Sequence, residues 1–148
     1  MKVTISTDER YIETEIMIYC SQMNEDIERV LAAIRLLDMK IIGQKEGKKY
    51  FLEASDIMYA ESTDKRTFLY TLTNTYESYF RLYELEEKLT GKGFLRISKN
   101  CLINIVHIAS IENELYGRLI LTMPKGIELI VSRQYASDIK QKLEVCHG

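Results

Sequence analysis

Two histidines, three cysteines and 22 acidic side chains are the groups in this chain that could carry acid–base, nucleophilic or metal chemistry. Their spacing supports none of these. His107 stands among Ile105, Val106 and Ile108 and reads as a strand residue, while His147 falls in a C-terminal tail expected to fray. Cys20, Cys101 and Cys146 are odd in number and far apart, which suits free reduced thiols rather than a disulfide framework or a zinc site. Glu86 and Glu87 are adjacent within a helical pattern and read as a solvated face, not a carboxylate dyad. No phosphate-cradling glycine loop, nucleophile elbow or paired-histidine zinc motif occurs. The expectation is therefore no enzyme, no catalytic residue, no metal, no cofactor and no small-molecule substrate.

Composition bounds the remaining classes. The 148 residues suffice for one domain with a sizeable core, or one domain and a small attachment. A single proline and no low-complexity run argue against long disordered segments. The first ten residues lack an apolar stretch and turn acidic at once, unlike a secretion signal. The longest apolar run, residues 102–111, is broken by Asn104, His107 and Ser110, well short of the ~20 residues of a membrane helix. These features read as a soluble, cytoplasmic chain. The net charge of −2 does not advertise nucleic acid, although residues 96–148 carry seven basic against five acidic side chains.

Periodicity supplies the elements. Residues 3–7 are short and β-branched. Residues 11–20 alternate, with Ile12, Thr14, Ile16 and Ile18 on one face and Glu13, Glu15, Met17 and Tyr19 on the other, a strand pattern. Asn24 is placed to cap a helix, with Glu25 and Asp26 in the first turn and an apolar face of Ile27, Val30, Leu31, Ile34 and Leu37, ending near Asp38. Residues 39–43 return to strand. The polar stretch 43–49, with Gly43 and Gly47, marks a boundary or hairpin turn. Beyond it, strands at 50–53, 57–62, 67–73 and 76–81 alternate with short polar turns, which suggests antiparallel pairing. Leu82, Leu85 and Leu89 predict a helix closed by Gly91 and Gly93. Residues 119–123 and 127–131 flank a Pro124–Gly126 turn, and Ser132 can cap a last helix bearing Tyr135, Ile139 and Leu143.

Four blocks of these elements resemble the LytTR DNA-binding family. They are residues 51–62 (FLEASDIMYAES), the leucine-rich 82–89 (LYELEEKL), residues 94–104 (FLRISKNCLIN) and residues 129–135 (LIVSRQY). The third block is similar to the family's phenylalanine-x-arginine-x-histidine-x-serine-aromatic-aliphatic-aliphatic-asparagine motif, and Ile108 and Ile111 fit the strand that follows. The match spans about residues 47–143 in the right order and spacing. Ser98 stands where the family has histidine, Asn100 replaces serine and Cys101 replaces the aromatic. The resemblance implies a β-rich α+β fold of antiparallel sheets with short helices. It also implies entry into DNA grooves by loops of the sheet rather than by a recognition helix.

Carried over position by position, the resemblance gives Lys65 and Arg66 as a first contacting turn and Ser98, Lys99 and Asn100 as a central one. Arg133 near the start of the last helix follows, with Ser137 and Lys140 on the same helix face. Lysine can bind guanine or phosphate, and asparagine can pair with adenine in bidentate fashion. Lys99 keeps its position basic despite the departures around it. Arg96 and Asn104 read instead as structural residues that satisfy buried backbone groups.

The resulting organisation is a small ββαβ extension over residues 1–45 and a LytTR-type domain over residues 46–148. The extension is too short for an independent core, so it must pack on the domain, on a second copy or on a partner. It is also far too short for a doubly wound phosphoacceptor receiver. Similar receiver-less family members are often paired with a small regulatory membrane protein, which the resemblance extends to this chain. A homodimer could read two repeats one helical turn apart. The expected function is sequence-specific duplex-DNA-binding transcription regulation. The alternative is a protein-interaction adaptor with a degenerate LytTR-like domain, favoured by the near-neutral charge and the departures at Ser98 and Cys101.

Overall fold

The computed structural model describes residues 1–37 and 39–147, and residues 144–147 only as backbone. The expected helix end at Asp38 and the side chains of Cys146 and His147 lie outside the described residues.

Helix α1 (Glu25–Leu36) forms where the apolar period places it. Asn24 is extended, and its side-chain oxygen accepts the Ile27 N–H at 3.0 Å, satisfying one of the free donors of the first turn. The stripe of Ile27, Val30, Leu31 and Ile34 is only half-buried.

Among the described residues, ten strands follow in two antiparallel sheets. β1 (Lys40–Lys45) and β2 (Lys48–Glu53) form a hairpin that turns on Glu46 and Gly47, both at positive φ. β3 (Tyr59–Thr63), β4 (Arg66–Tyr70) and β5 (Thr75–Ser78) make a meander, which α2 (Leu82–Lys88) separates from the hairpin of β6 (Phe94–Ser98) and β7 (Cys101–Asn104). These seven strands lie in the order β2-β1-β5-β4-β3-β7-β6. β8 (Ser110–Asn113), β9 (Leu119–Met123) and β10 (Ile127–Val131) form a second sheet in the order β10-β9-β8, and α3 (Arg133–His147) closes the chain.

Period-two alternation distributes the core. On β3 and β7, Ala60 and Leu102 point to one face of the large sheet, where they pack with Leu82 and Leu85 of α2 and with Leu89. Tyr59, Cys101 and Ile103 point to the other, against Leu119, Leu121 and Met123 of β9 and Ala136 and Ile139 of α3. The central strands are therefore covered on both faces, and β7 is buried along its whole length. Asn104, fully buried at its end, donates from Nδ2 to the Ile57 carbonyl at 3.1 Å and accepts the Val106 N–H at 3.4 Å. Gly43 lies where β1 pairs with β5, opposite Ser78, and a Cβ there would sit 2.7 Å from Tyr76 Cβ.

Three expectations are corrected. Residues 1–22 contain no strand: the alternation at 3–7 and 11–20 is real, but strand backbone needs a neighbouring strand, and none among the described residues pairs with it. Of the expected ββαβ extension only α1 and β1 form, and β1 hydrogen-bonds to β2 and β5, so the large sheet runs across residue 46. His107 lies in a 3-10 turn, Ile105–His107, with Nε2 2.8 Å from the Ser55 carbonyl oxygen, because Asn104 and Val106 bend the chain out of β7.

Candidate nucleic-acid interface

Asp64 and Lys65 are the two central residues of the β3–β4 turn, and both adopt positive φ, 51° and 65°. This is the left-handed pair that matches the twist of a two-residue hairpin. For lysine it costs roughly 1 kcal/mol, and it leaves the Lys65 side chain exposed at the tip. Arg66, paired across the turn with Thr63, is already engaged. Its Nε and Nη2 donate to the two carboxylate oxygens of Glu77 at 2.9 and 2.7 Å, and its guanidinium lies 5.3 Å from the Phe68 ring centre. The Arg66 side chain holds the Glu77 carboxyl below its ordinary range.

The β6–β7 turn carries Ser98, Lys99 and Asn100. Ser98 Oγ accepts the Asn100 N–H at 3.3 Å, and the Asn100 carbonyl accepts the Ser62 N–H of β3 at 2.8 Å. Arg96 braces the turn from beneath: Nη1 donates to the Lys99 carbonyl at 2.6 Å, while Nη2 donates to Glu86 on α2 at 3.1 Å. With the backbone held at three points, the Lys99 and Asn100 side chains are exposed. Pairing of Glu61 with Cys101 sets this turn beside the β3–β4 turn, at one end of the sheet.

The start of α3 reaches the same end. The Ser132 N–H donates to the Ile97 carbonyl at 2.9 Å, one residue before Ser98. Arg133, Ser137 and Lys140 are exposed while Ala136, Ile139 and Leu143 are buried, as a single helix face requires. Lys140 lies about 10 Å further along the helix axis than Arg133, from the 1.5 Å rise per residue. The fold thus gathers Lys65, Arg66, Ser98, Lys99, Asn100 and Arg133, and places Ser137 and Lys140 along a helix leading from that cluster.

Sequence reasoning did not single out the β8–β9 loop. Pairing of Asn113 with Leu119, and of Leu119 with Val131, brings it to the same end as Arg133. Tyr116 is 80% exposed at φ 66°, and the Arg133 side chain lies across Gly117, 3.4 Å from where a Cβ would stand. A tyrosine-glycine pair between two apolar runs marks a tip, but only the ladder shows which tips it joins.

Behind the turns, Glu61, Ile97, Ser98, Asn100, Cys101 and Leu129 line a shallow groove. Burial, reinforced by Glu61, pushes the Cys101 thiol up to about 12, so it stays protonated and unreactive.

These features define a class: a rigid antiparallel sheet that presents polar and basic turns at one end, with no two helices joined by a short turn among the described residues. The LytTr DNA-binding domain model matches residues 47–144. The chain belongs to that family, which comprises DNA-binding domains of transcription regulators rather than enzymes. It is 25% identical, over 98% of its length and 99% of theirs, to uncharacterized HTH-type transcriptional regulators of Staphylococcus aureus strains NCTC 8325 / PS 47 and COL. A solved LytTr DNA-binding domain, from a putative methyl-accepting/DNA response regulator of Bacillus cereus, superposes with a TM-score of 0.67 at 26% identity. That match covers 70% of this chain and 95% of the solved one. The helix-turn-helix wording in the relatives' names does not describe the β architecture seen here.

Proposed function

We propose that this protein is a transcription regulator that reads duplex DNA sequence through the turns at one end of its large sheet. The observation that carries the proposal is the Ser98–Asn100 turn, fixed by Arg96, Ser62 and its own serine so that Lys99 and Asn100 project from a rigid frame. Lys99 and Asn100 serve as base-edge contacts. Lys65, Arg66, Arg133 and Lys140 serve as phosphate contacts that set register, with Ser98 and Ser137 as neutral donors beside them. Residues 1–37 hold a single helix, α1, and take no phosphoacceptor role in this reading. Regulation then comes through residues 1–45, by homodimerisation or by a small membrane protein that holds the regulator at the cytoplasmic face. No helix among the described residues is long and apolar enough to cross a membrane itself.

The test is fluorescence anisotropy on a duplex from the region upstream of the protein's own coding sequence, against a scrambled duplex, at several salt concentrations. Preference for the upstream duplex is expected. Affinity should fall more than about tenfold between 50 and 200 mM salt if roughly three phosphates are neutralised. Lys99→Ala or Asn100→Ala should each cost about 1–3 kcal/mol if the side chain reads a base. Equal binding of both duplexes, unmoved by salt or by either substitution, would refute DNA reading and favour the adaptor, which the occupied Arg66 and near-neutral charge would then explain.

A further inference from the structure

The large sheet has two edges, and they are treated differently. At β6 the edge is closed by the Ser132 N–H, which bonds to the Ile97 carbonyl and leads into α3. At β2 the outer edge pairs with nothing among the described residues, and Lys48, Lys49, Tyr50 and Phe51 are all exposed, Phe51 by 69%. An open edge with exposed aromatic residues is a template for another strand. The same chain holds a segment patterned as a strand that pairs with no strand among the described residues. Residues 11–20 alternate over two faces, yet Ile12 is 101% exposed and Tyr19 87%. A row of Ile12, Ile16 and Ile18 in water is the kind of apolar surface that marks an interface.

We propose that residues 11–20 of a second copy pair with β2, and that the exchange is reciprocal, so that each sheet of a two-fold dimer gains an eighth strand from its partner. The faces fit in a single orientation. Tyr50 and Leu52 share the face of Ile41 and Tyr76: the Tyr50 and Tyr76 rings lie 5.2 Å apart, and Leu52 packs on the core. Lys49 and Phe51 point to the opposite face. A strand that lays Ile12, Ile16 and Ile18 beside Tyr50 and Leu52 necessarily lays Glu13 and Glu15 on the face of Lys49, because side chains alternate. The charges agree. Residues 11–20 hold two acidic and no basic side chains, and both acids fall on the face of Lys49. Opposite charges facing each other across a ladder stabilise it, and like charges oppose it. The occupant is a second copy because the segment stands clear of its own sheet. The half-buried stripe of α1, four residues beyond, offers further apolar surface to the same contact. The inference rests on residues 1–45 being the self-association element and not on the DNA-facing turns.

The experiment uses the full chain. Wild type should sediment at twice the protomer mass. Glu13→Lys with Glu15→Lys should lose the dimer, and adding Lys49→Glu in the same chain should restore it. These residues are exposed, so every variant should keep a cooperative urea transition, while far-UV circular dichroism should show less strand in the monomer than in the dimer. In a Cys20→Ser, Cys146→Ser background, Met17→Cys copies mixed with Phe51→Cys copies should give a heterodimer band with a short bis-maleimide. A monomeric wild type, or a Met17→Cys, Phe51→Cys double variant that cross-links only within one chain, would overturn the proposal. Anisotropy of the same samples on a single-site duplex separates this failure from that of the DNA reading. The charge-reversed monomer should still bind, whereas failure of the DNA reading would abolish binding in the wild type too.

Discussion

Replacing Arg96 with methionine should weaken DNA binding without touching any exposed contact. The Arg96 side chain is only 16% exposed and makes two kinds of bond. Its Nη1 donates to the Lys99 carbonyl at 2.6 Å, a charge-assisted bond within the turn. Bonds of this type contribute about 1.5–3 kcal/mol. Its pairing with Glu86 at 3.1 Å involves a carboxylate that is 43% exposed, so solvent screening limits it to about 0.5–1 kcal/mol. Methionine keeps much of the apolar stem. The expected loss of folding stability for Arg96→Met is therefore about 2–4 kcal/mol, against about 0.5–1 kcal/mol for Glu86→Gln. On DNA, the freed turn must be reordered at each binding event. At about 0.5–1.5 kcal/mol for each ordered side chain, Lys99 and Asn100 together cost about 1–3 kcal/mol, roughly a fivefold to hundredfold rise in Kd. Urea titration and anisotropy on the same two variants provide the comparison. If Arg96→Met and Glu86→Gln shift the urea midpoint and the Kd by equal amounts, the bond to Lys99 contributes nothing and the bracing argument fails.

Other outcomes follow from single contacts. Glu77→Gln should release the Arg66 guanidinium and tighten DNA binding severalfold at low salt; unchanged anisotropy would remove Arg66 from the interface. The pH dependence has a defined sign. Arg66 lowers the Glu77 carboxyl in the folded state, so their mutual stabilisation is present above the ordinary carboxylate range and lost as pH falls through the lowered value. Asn104→Ala should strip the Ile57 carbonyl and Val106 N–H of their partners and cost about 2–4 kcal/mol in urea unfolding, being fully buried. In a Cys146→Ser background at pH 8, Cys20, which is exposed, should react readily with a thiol reagent. Cys101, with its thiol pushed up to about 12, should hold roughly one part in 10⁴ as thiolate and remain unlabelled until the protein unfolds. Rapid labelling of both thiols in native protein would contradict its burial.

Much of the local structure was legible in the residues. The strands at 119–123 and 127–131 and the capped start of α1 follow from alternation and cap chemistry, which act over a few residues. The helix at 82–88 follows from the spacing of Leu82 and Leu85. The assignment of Asn104 to a structural role also stood, since a polar group inside a buried strand must find partners, whereas Arg96 bonds to the exposed Lys99 carbonyl rather than to a buried group. The strands expected at 3–7 and 11–20 did not form, because alternation states which face would be buried and not what would bury it. The pairing of Arg66 with Glu77 was invisible, as it joins two strands eleven residues apart through the register of β4 on β5.

The sequence by itself determined most of the strands and helices from residue 24 onward, that no catalytic constellation is spelled out, and which turns carry basic and amide side chains. All of these depend on neighbours within one or two turns of chain. The tertiary structure alone decided that the turns at 64–65 and 98–100, the loop at 114–118 and the first turn of α3 share one end of the molecule. It also decided that one sheet edge is closed and the other left open. The physical reason is register. A strand's partner is fixed by burial on both faces of β3 and β7, a condition that many distant residues satisfy jointly and no local pattern contains.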